Sequence, residues 1–264
     1  MLLTADVGNT EIVLGIFSGE DLRHTWRLST RPERTSDELA LQLSGFLEHR
    51  DLDLRMDVTG LCIASVVPDV THAFREMASG YLPIEPVVVG PGVKTGVPVL
   101  TDNPREVGAD RVVNALAAFH RFGGPSIVVD FGTSTNFDVV SDKGEFLGGV
   151  IAPGLQISAS ALVGKTARLT RVDLQAPRSP IGKNTVEAIQ SGLLYGTAGE
   201  VDGIVARLRQ ELGAPEAPVV ATGGLAGDVI PHCRTVDHHE PWLTLEGLRM
   251  VYERNATDPE PPDG

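Results

Sequence analysis

SIVVDFGTSTNFDVV, residues Ser126–Val140, has a counterpart at the start of the chain in LLTADVGNTEIVLGI, residues Leu2–Ile16. Each is an apolar run ending in Asp-x-Gly, followed by small hydroxyl or amide residues and then a second apolar run. Asn9-Thr10 fill the small-residue positions in the first copy and Thr133-Ser134-Thr135 in the second. A tight hairpin is the natural reading of each. A single Asp-x-Gly-x-Thr is an ordinary turn; two copies about one domain apart point to a duplicated unit.

Gly8 and Gly132 allow backbone conformations closed to other residues and leave no side chain to hold a ligand away. Such a turn collects N–H and hydroxyl donors suited to phosphate oxygens, while Asp6 and Asp130 at the strand ends suit a hydrated cation. Both copies continue alike. Ser18-Gly19-Glu20-Asp21 turns the first into LRHTWRLST, and Ser141-Asp142-Lys143-Gly144 turns the second into EFLGGVIA, a three-stranded meander in each half. The expectation is an α/β protein of two duplicated domains, each a mixed sheet flanked by helices, with a cleft between them. The division falls near 105–125: residues 1–107, then 108–255, then an acidic, Pro-rich tail at 256–264 expected to be disordered.

The chain has 264 residues, 42% of them hydrophobic, enough for a substantial core. Its formal charge of −13 argues against nucleic acid or an anionic membrane as partner, so an anionic substrate must be held by local donors. No apolar run approaches a membrane span and the first residues read directly as a strand, so the expectation is a cytoplasmic protein. Cys62 and Cys233 lack metal spacing and read as buried thiols rather than a disulfide.

Thr35 and Glu38 have capping-box spacing ahead of Leu39, Leu43, Phe46 and Leu47, predicting a core-facing helix. TGLCIASVV, residues 59–67, reads as a strand covered on both faces, Val70–Tyr81 as a helix and Glu85–Val89 as a strand. Gly90–Val107 is rich in Gly and Pro and reads as a long functional loop. It feeds Gly108-Ala109-Asp110-Arg111, which opens an amphipathic helix and so puts Asp110 at a helix N-terminus, where an acid also simply favours the dipole.

The glycines from Gly148 to Gly154 read as a break before a helix from Leu155 to about Leu169. Gly164-Lys165-Thr166 is not a Walker loop, because position 159 is Ala and no strand leads into it. Asn184 reads as the N-cap of a long helical region to Leu212, interrupted near Gly192–Gly199. Pro218–Thr222 is a strand whose end carries Gly223-Gly224, the kind of place where ligands of open α/β sheets sit. Asp237-His238-His239-Glu240 reads as a solvated loop rather than a metal cluster, and Leu243–Asn255 as a closing helix.

Asp6-Val7-Gly8-Asn9-Thr10, Ser65-Val66-Val67-Pro68, Gly108-Ala109-Asp110-Arg111, Asp130-Phe131-Gly132-Thr133, Gly149 to Gly154, Asn184-Thr185 and Thr222-Gly223-Gly224 occur in the order and spacing that resembles the type III pantothenate kinases. Those enzymes belong to the acetate and sugar kinase, Hsc70 and actin superfamily. One departure is Asn136, where that family more often has Thr. The resemblance implies duplicated actin-like (ribonuclease H-like) domains and ATP-dependent phosphorylation of pantothenate, the first step toward coenzyme A. It implies that Asp6, Val7, Gly8, Asn9, Thr10, Glu11, Ile12 and Val13 form a first phosphate loop, with Asp6 a candidate for Mg²⁺. Thr133 would touch ATP, Thr222, Gly223 and Gly224 would lie near adenosine, and Asp130 would hold K⁺ or NH₄⁺. Gly108, Ala109, Asp110, Arg111 and Thr185 would bind pantothenate, with Asp110 as base, in a homodimer. Two alternatives stay open: a kinase of the same superfamily with another small acceptor, and a nucleotide-binding regulatory protein without kinase activity.

Overall fold

The computed structural model describes residues 1–164 and 172–256. The expected end of the helix near Leu169, residues 165 and 166 of the Gly164-Lys165-Thr166 triplet, and the tail at 257–264 lie outside the described residues. Elements run β1 (Leu2–Val7), β2 (Glu11–Ser18), β3 (Asp21–Ser29), α1 (Ser36–Glu48), α2 (Leu54–Asp57), β4 (Gly60–Ser65), α3 (Pro68–Tyr81), β5 (Val87–Val88) and α4 (Ala109–Phe122). There follow β6 (Ser126–Phe131), β7 (Ser134–Val140), β8 (Phe146–Pro153), α5 (Leu155–Gly164), α6 (Thr185–Leu212), β9 (Val219–Thr222), α7 (Ala226–Val229), β10 (His238–His239) and α8 (Leu243–Asn255).

The strands form two sheets of the same design. The first has the order β3-β2-β1-β4-β5 and the second, read from its far edge, β8-β7-β6-β9-β10. In each, a hairpin meander supplies three antiparallel strands and a later strand joins parallel to the first: β4 beside β1, β9 beside β6. The duplication read from the two Asp-x-Gly turns is thus a duplication of strand order.

Alternation along the strands sets the faces. Leu3, Ala5 and Val7 pair with Ile16, Leu14 and Ile12 and bury against Leu39 and Leu43 of α1 and Phe74 and Met77 of α3. In the second sheet Ile127, Val129, Phe131 and Phe137 bury against Leu194, Ala198, Val201 and Val205 of α6. Asp6 and Asp130 therefore sit on the opposite faces of their sheets, at matching strand ends. The expected capping box is present, with Glu38 N–H donating to Thr35 Oγ1 at 3.2 Å and Thr35 N–H to Glu38 Oε2 at 2.9 Å.

Four elements differ from the sequence reading. The strand expected over Glu85–Val89 pairs only at Val87–Val88. α6 runs without interruption through Gly192, Gly196 and Gly199, because its buried stripe from Leu194 to Val205 holds the helix and nothing crowds those glycines. The glycines at 148 and 149 stay within β8, where Gly148 takes φ +122° beside a bulge at Val139/Val140. His238–His239, expected in a loop, forms β10 on β9: Asp237 accepts from Arg209 Nη2 and the Val219 N–H, both at 2.9 Å, and the His238 ring stacks on Phe122 at 4.4 Å.

By packing, the chain divides into two units. The first comprises Met1–Gly96, Asn103–Ala117 and residues 244–256; the second comprises Val97–Asp102 and Ala118–Leu243. This differs from a contiguous division in one main respect: α8 belongs with the first unit. Leu245, Leu248 and Val251 are fully buried, Gly247 lies tight against the Val113 backbone, Thr244 Oγ1 donates to Asn114 Oδ1 at 2.8 Å, and Leu245 reaches Gly15 of β2.

Candidate active site

In the first unit, β1 and β4 run parallel, so their C-terminal ends lie side by side with Val7 opposite Ser65, and the Val66 N–H bonds Val7 O at 3.1 Å. The Asp6–Val13 turn therefore adjoins Ser65-Val66-Val67-Pro68. Ser65 Oγ accepts from the Val67 N–H at 3.1 Å, and Pro68 opens α3 at a position where a missing N–H costs nothing.

The turn is closed by the Gly8 N–H donating to Glu11 O at 3.0 Å, and its twin by the Gly132 N–H donating to Ser134 O at 3.0 Å. Neither glycine has a positive φ, and neither amide faces outward as expected. Glycine matters at Gly8 for space, since a Cβ would lie 3.1 Å from Glu11 O; at Gly132 the same contact is a relaxed 3.7 Å. Asn9, Thr10 and Thr133 form the exposed rims. The Glu11 carboxylate is engaged by Arg27 Nη1 at 2.9 Å. Ile12 is buried in the core and Val13 partly so; both serve the turn as its strand.

Sequence reasoning missed the residues that brace this turn. Thr30 Oγ1 donates to Gly8 O at 2.7 Å and the Thr30 N–H to Thr10 O at 2.9 Å. The signal was available in the meander itself: a third strand running back along the second ends beside the first turn, as the pairing of Ser29 with Glu11 shows.

Gly108-Ala109-Asp110-Arg111 lie in the same unit, at the start of α4 and just beyond a 3-10 turn at Pro104–Glu106. Asp110 Oδ1 is buried without a hydrogen-bond partner. Burial pushes the Asp110 carboxyl above the usual carboxylate range, against smaller opposing effects of the Arg111 N–H and the Arg111 charge.

In the second unit, Asp130 pairs laterally with Thr222 across β6 and β9. Gly223, at φ +94°, passes so close that a Cβ would strike Asp130 Oδ1 and the Phe131 backbone. Gly154, which opens α5, is packed as tightly on the carbonyls of Gly132 and Thr133. Asp130, Thr133, Gly154 and Thr222-Gly223-Gly224 are thus one cluster. Asn136, read as lying beyond the turn, is the direct cross-strand partner of Asp130, and its Oδ1 accepts from Ser134 Oγ at 2.9 Å. Thr185 lies on the exposed first turn of α6, beside Asn184, whose side chain caps the helix by accepting from the Glu187 N–H at 2.9 Å.

In the same unit, Leu155, Leu174, Gln190, Leu194, Asp228 and His232 line a cavity of about 230 Å³. Among the described residues no group of His, Cys, Asp or Glu has a metal-binding arrangement, the His238-His239 segment included. Cys62 and Cys233 are free, their thiols pushed up by burial to about 12 and about 11, so neither is a nucleophile at neutral pH.

The family model for type III pantothenate kinase matches residues 2–207. The chain belongs to the type III pantothenate kinase family. It is 57% identical over 261 residues to the type III pantothenate kinase of Acidothermus cellulolyticus, covering 98% of this chain and 100% of the relative. It is 56% identical over 263 residues to that of Streptomyces griseus, covering 97% and 99%. Among solved structures, component A of (R)-2-hydroxyglutaryl-CoA dehydratase from Acidaminococcus fermentans superposes with a TM-score of 0.57 at 15% identity, covering 97% of this chain and 99% of that one. That likeness concerns the fold alone and agrees with the duplicated actin-like architecture seen in the two sheets. For this family member the match spans every motif named above as far as Asn184-Thr185, and the two relatives cover Thr222-Gly223-Gly224 as well.

Proposed function

We propose that the chain phosphorylates the primary hydroxyl of pantothenate at the expense of ATP, with Asp110 as the base. The hydroxyl oxygen attacks the γ-phosphorus, the bond from that phosphorus to the bridging oxygen breaks, ADP leaves, and the hydroxyl proton passes to Asp110. The observation that carries the residue assignment is the buried Asp110 Oδ1 with no hydrogen-bond partner. Such an oxygen is costly unless a donor arrives, and an alcohol is such a donor. Arg111 supplies a fork for the pantothenate carboxylate, and Thr185 contacts the same substrate.

Phosphoryl transfer depends on positioning and on charge stabilisation. The Asp6–Val13 and Asp130–Thr133 turns are the phosphate loops, and Thr222-Gly223-Gly224 lies near the adenosine. A divalent metal accompanies ATP and screens the charge on its phosphates. Asp6 is the side chain nearest the first loop suited to it. Asp130 and Asn136 Oδ1, from residues paired across β6 and β7, offer hard oxygens. That donor set fits K⁺ or NH₄⁺, which we assign to Asp130.

The active form is a homodimer in the cytoplasm. Leu147 and Ile151 on edge strand β8, Ile157 on α5, Ile181 ahead of α6 and Val186 in its first turn are exposed apolar side chains that a second copy would cover. Among the described residues no helix is long and apolar enough to cross a membrane.

The test is ADP release with and without pantothenate, in K⁺ and in Na⁺ buffers, with the product identified by mass. Pantothenate-dependent ADP formation that falls away in Na⁺ is expected. ADP release indifferent to pantothenate rejects the acceptor, full activity in Na⁺ rejects the cation assignment, and an active species of single-chain mass by light scattering rejects the dimer.

A further inference from the structure

Arg34 lies in the link between β3 and α1 and is only 8% exposed. Its Nη2 donates to Ser29 O at 3.0 Å, while its Nη1 is buried with no hydrogen-bond partner. Buried donors are nearly always paired, and a charged one left unpaired is costly, so this guanidinium calls for an acceptor.

Its surroundings say where the acceptor comes from. Ser29 pairs across the sheet with Glu11, and the next residue, Thr30, holds both Gly8 O and Thr10 O of the first turn. Arg34 thus grips the residue adjoining the one that braces the turn. The local charge is also unbalanced. Burial and the nearby Arg31 guanidinium both depress the Arg34 pKa, and Glu38 opposes them. Yet the hydrogen bonds of Glu38 go to Thr35, in the capping box. Two guanidinium groups face one committed carboxylate beside a turn with exposed hydroxyl and amide residues, in a chain of charge −13. An anion at the turn would satisfy the idle donor and relieve the repulsion together.

We propose that Arg34 is a phosphate-binding residue of the first turn, donating from its guanidinium to an oxygen of the ATP polyphosphate. The inference rests on reading Asp6–Val13 as a phosphate loop. The single bond from Nη2 to Ser29 O leaves the end of the side chain able to pivot, so Nη1 reaches the ligand while the anchor to β3 is kept. A planar fork suits phosphate oxygens better than a point charge does.

The experiment measures binding of AMP-PNP with Mg²⁺, and separately of AMP, to wild type, Arg34→Gln and Arg34→Lys by calorimetry at two salt concentrations, beside their melting curves. Arg34→Gln should weaken AMP-PNP binding by about 10- to 100-fold, from loss of a charge-assisted hydrogen bond. Its salt dependence should flatten, and AMP affinity should stay within about twofold, since AMP lacks the phosphates this donor would reach. Arg34→Lys should lie between the two, which also covers the case of a glutamine variant that does not fold. A lower melting temperature with unchanged AMP-PNP affinity in either variant would make Arg34 a brace for the β3–α1 link and overturn the proposal. Equal losses for AMP-PNP and AMP would overturn it too. If wild type shows no pantothenate-dependent ADP release while AMP-PNP binding still depends on Arg34, the acceptor assignment fails and this one stands.

Discussion

Asp110 Oδ1 rests against the Cα of Gly108, so closely that a methyl group at 108 would occupy the space of the carboxylate oxygen. Gly108 has no positive φ, and its carbonyl accepts from the Val112 N–H at 3.3 Å as α4 begins. The glycine is therefore a seat for the carboxylate rather than a turn residue. Gly108→Ala should push Asp110 aside and lower kcat by about 10- to 100-fold, as a displacement of about 1 Å can, with ATP affinity little changed. Steady-state kinetics with each substrate varied separates this from a folding defect, and an unchanged kcat would mean that the carboxylate position is not critical.

Asp110→Asn keeps the size of the side chain and removes the proton acceptor. Its kcat should fall by about 10²- to 10⁴-fold, the usual range for a general base. Stability should move the other way. Burial disfavours the ionised carboxylate, so an uncharged amide removes a cost, and the variant should melt no lower than wild type. Turnover within about threefold of wild type would reject the base assignment.

The raised Asp110 pKa also sets a pH dependence. Activity should fall on the acid side as pH drops through a value above the ordinary carboxylate range, and that limb should be missing from the residual activity of Asp110→Asn. For stability the sign is opposite. The group's contribution is fully present below its unfolded pKa of about 3.9 and is lost as pH rises through the higher folded value. Wild type and Asp110→Asn should converge in stability at acid pH and diverge toward neutrality, read from urea melts at several pH values.

Gly223→Ala meets two obstacles, a φ of +94° and overlap with Asp130 Oδ1 and the Phe131 backbone. Backbone strain alone costs roughly 1–3 kcal/mol, so the urea midpoint should drop by a corresponding amount. Because the overlap is with Asp130, the variant should also need more K⁺ for half-maximal activity. A stability loss with an unchanged K⁺ requirement would separate Gly223 from the cation site.

The two hairpins were legible because Asp-x-Gly between apolar runs admits few other structures, and the capping box at Thr35 and Glu38 because its spacing is strict. Strand order was not, since β4 joining β1 is a long-range pairing with no local mark. Propensity misled at Gly192–Gly199, where three glycines suggested a break and a buried stripe from Leu194 to Val205 overrode them. It was silent at His238–His239, a two-residue strand too short to carry a pattern, secured by Phe122 and Arg209 from elsewhere in the chain. At the site, Asp110 could be found from its motif, but the dependence of its carboxylate on Gly108 could not. Thr30 and Arg34 carry no motif at all; their closeness to the first turn is a matter of register.

The place of α8 bears on how the protein is made. The helix α8 completes the unit that contains β1, with Leu245 reaching Gly15 of β2 and Gly247 set against Val113. On the ribosome, every strand of the second sheet has been synthesised before α8 exists, while one face of the first sheet waits for α8. Chains stopped at Leu243 should accordingly resist protease over Ala118–Leu243 and be cut within Met1–Gly96, and equal resistance of both parts would contradict this order. Of the two units, the one whose strands are made earlier is completed later.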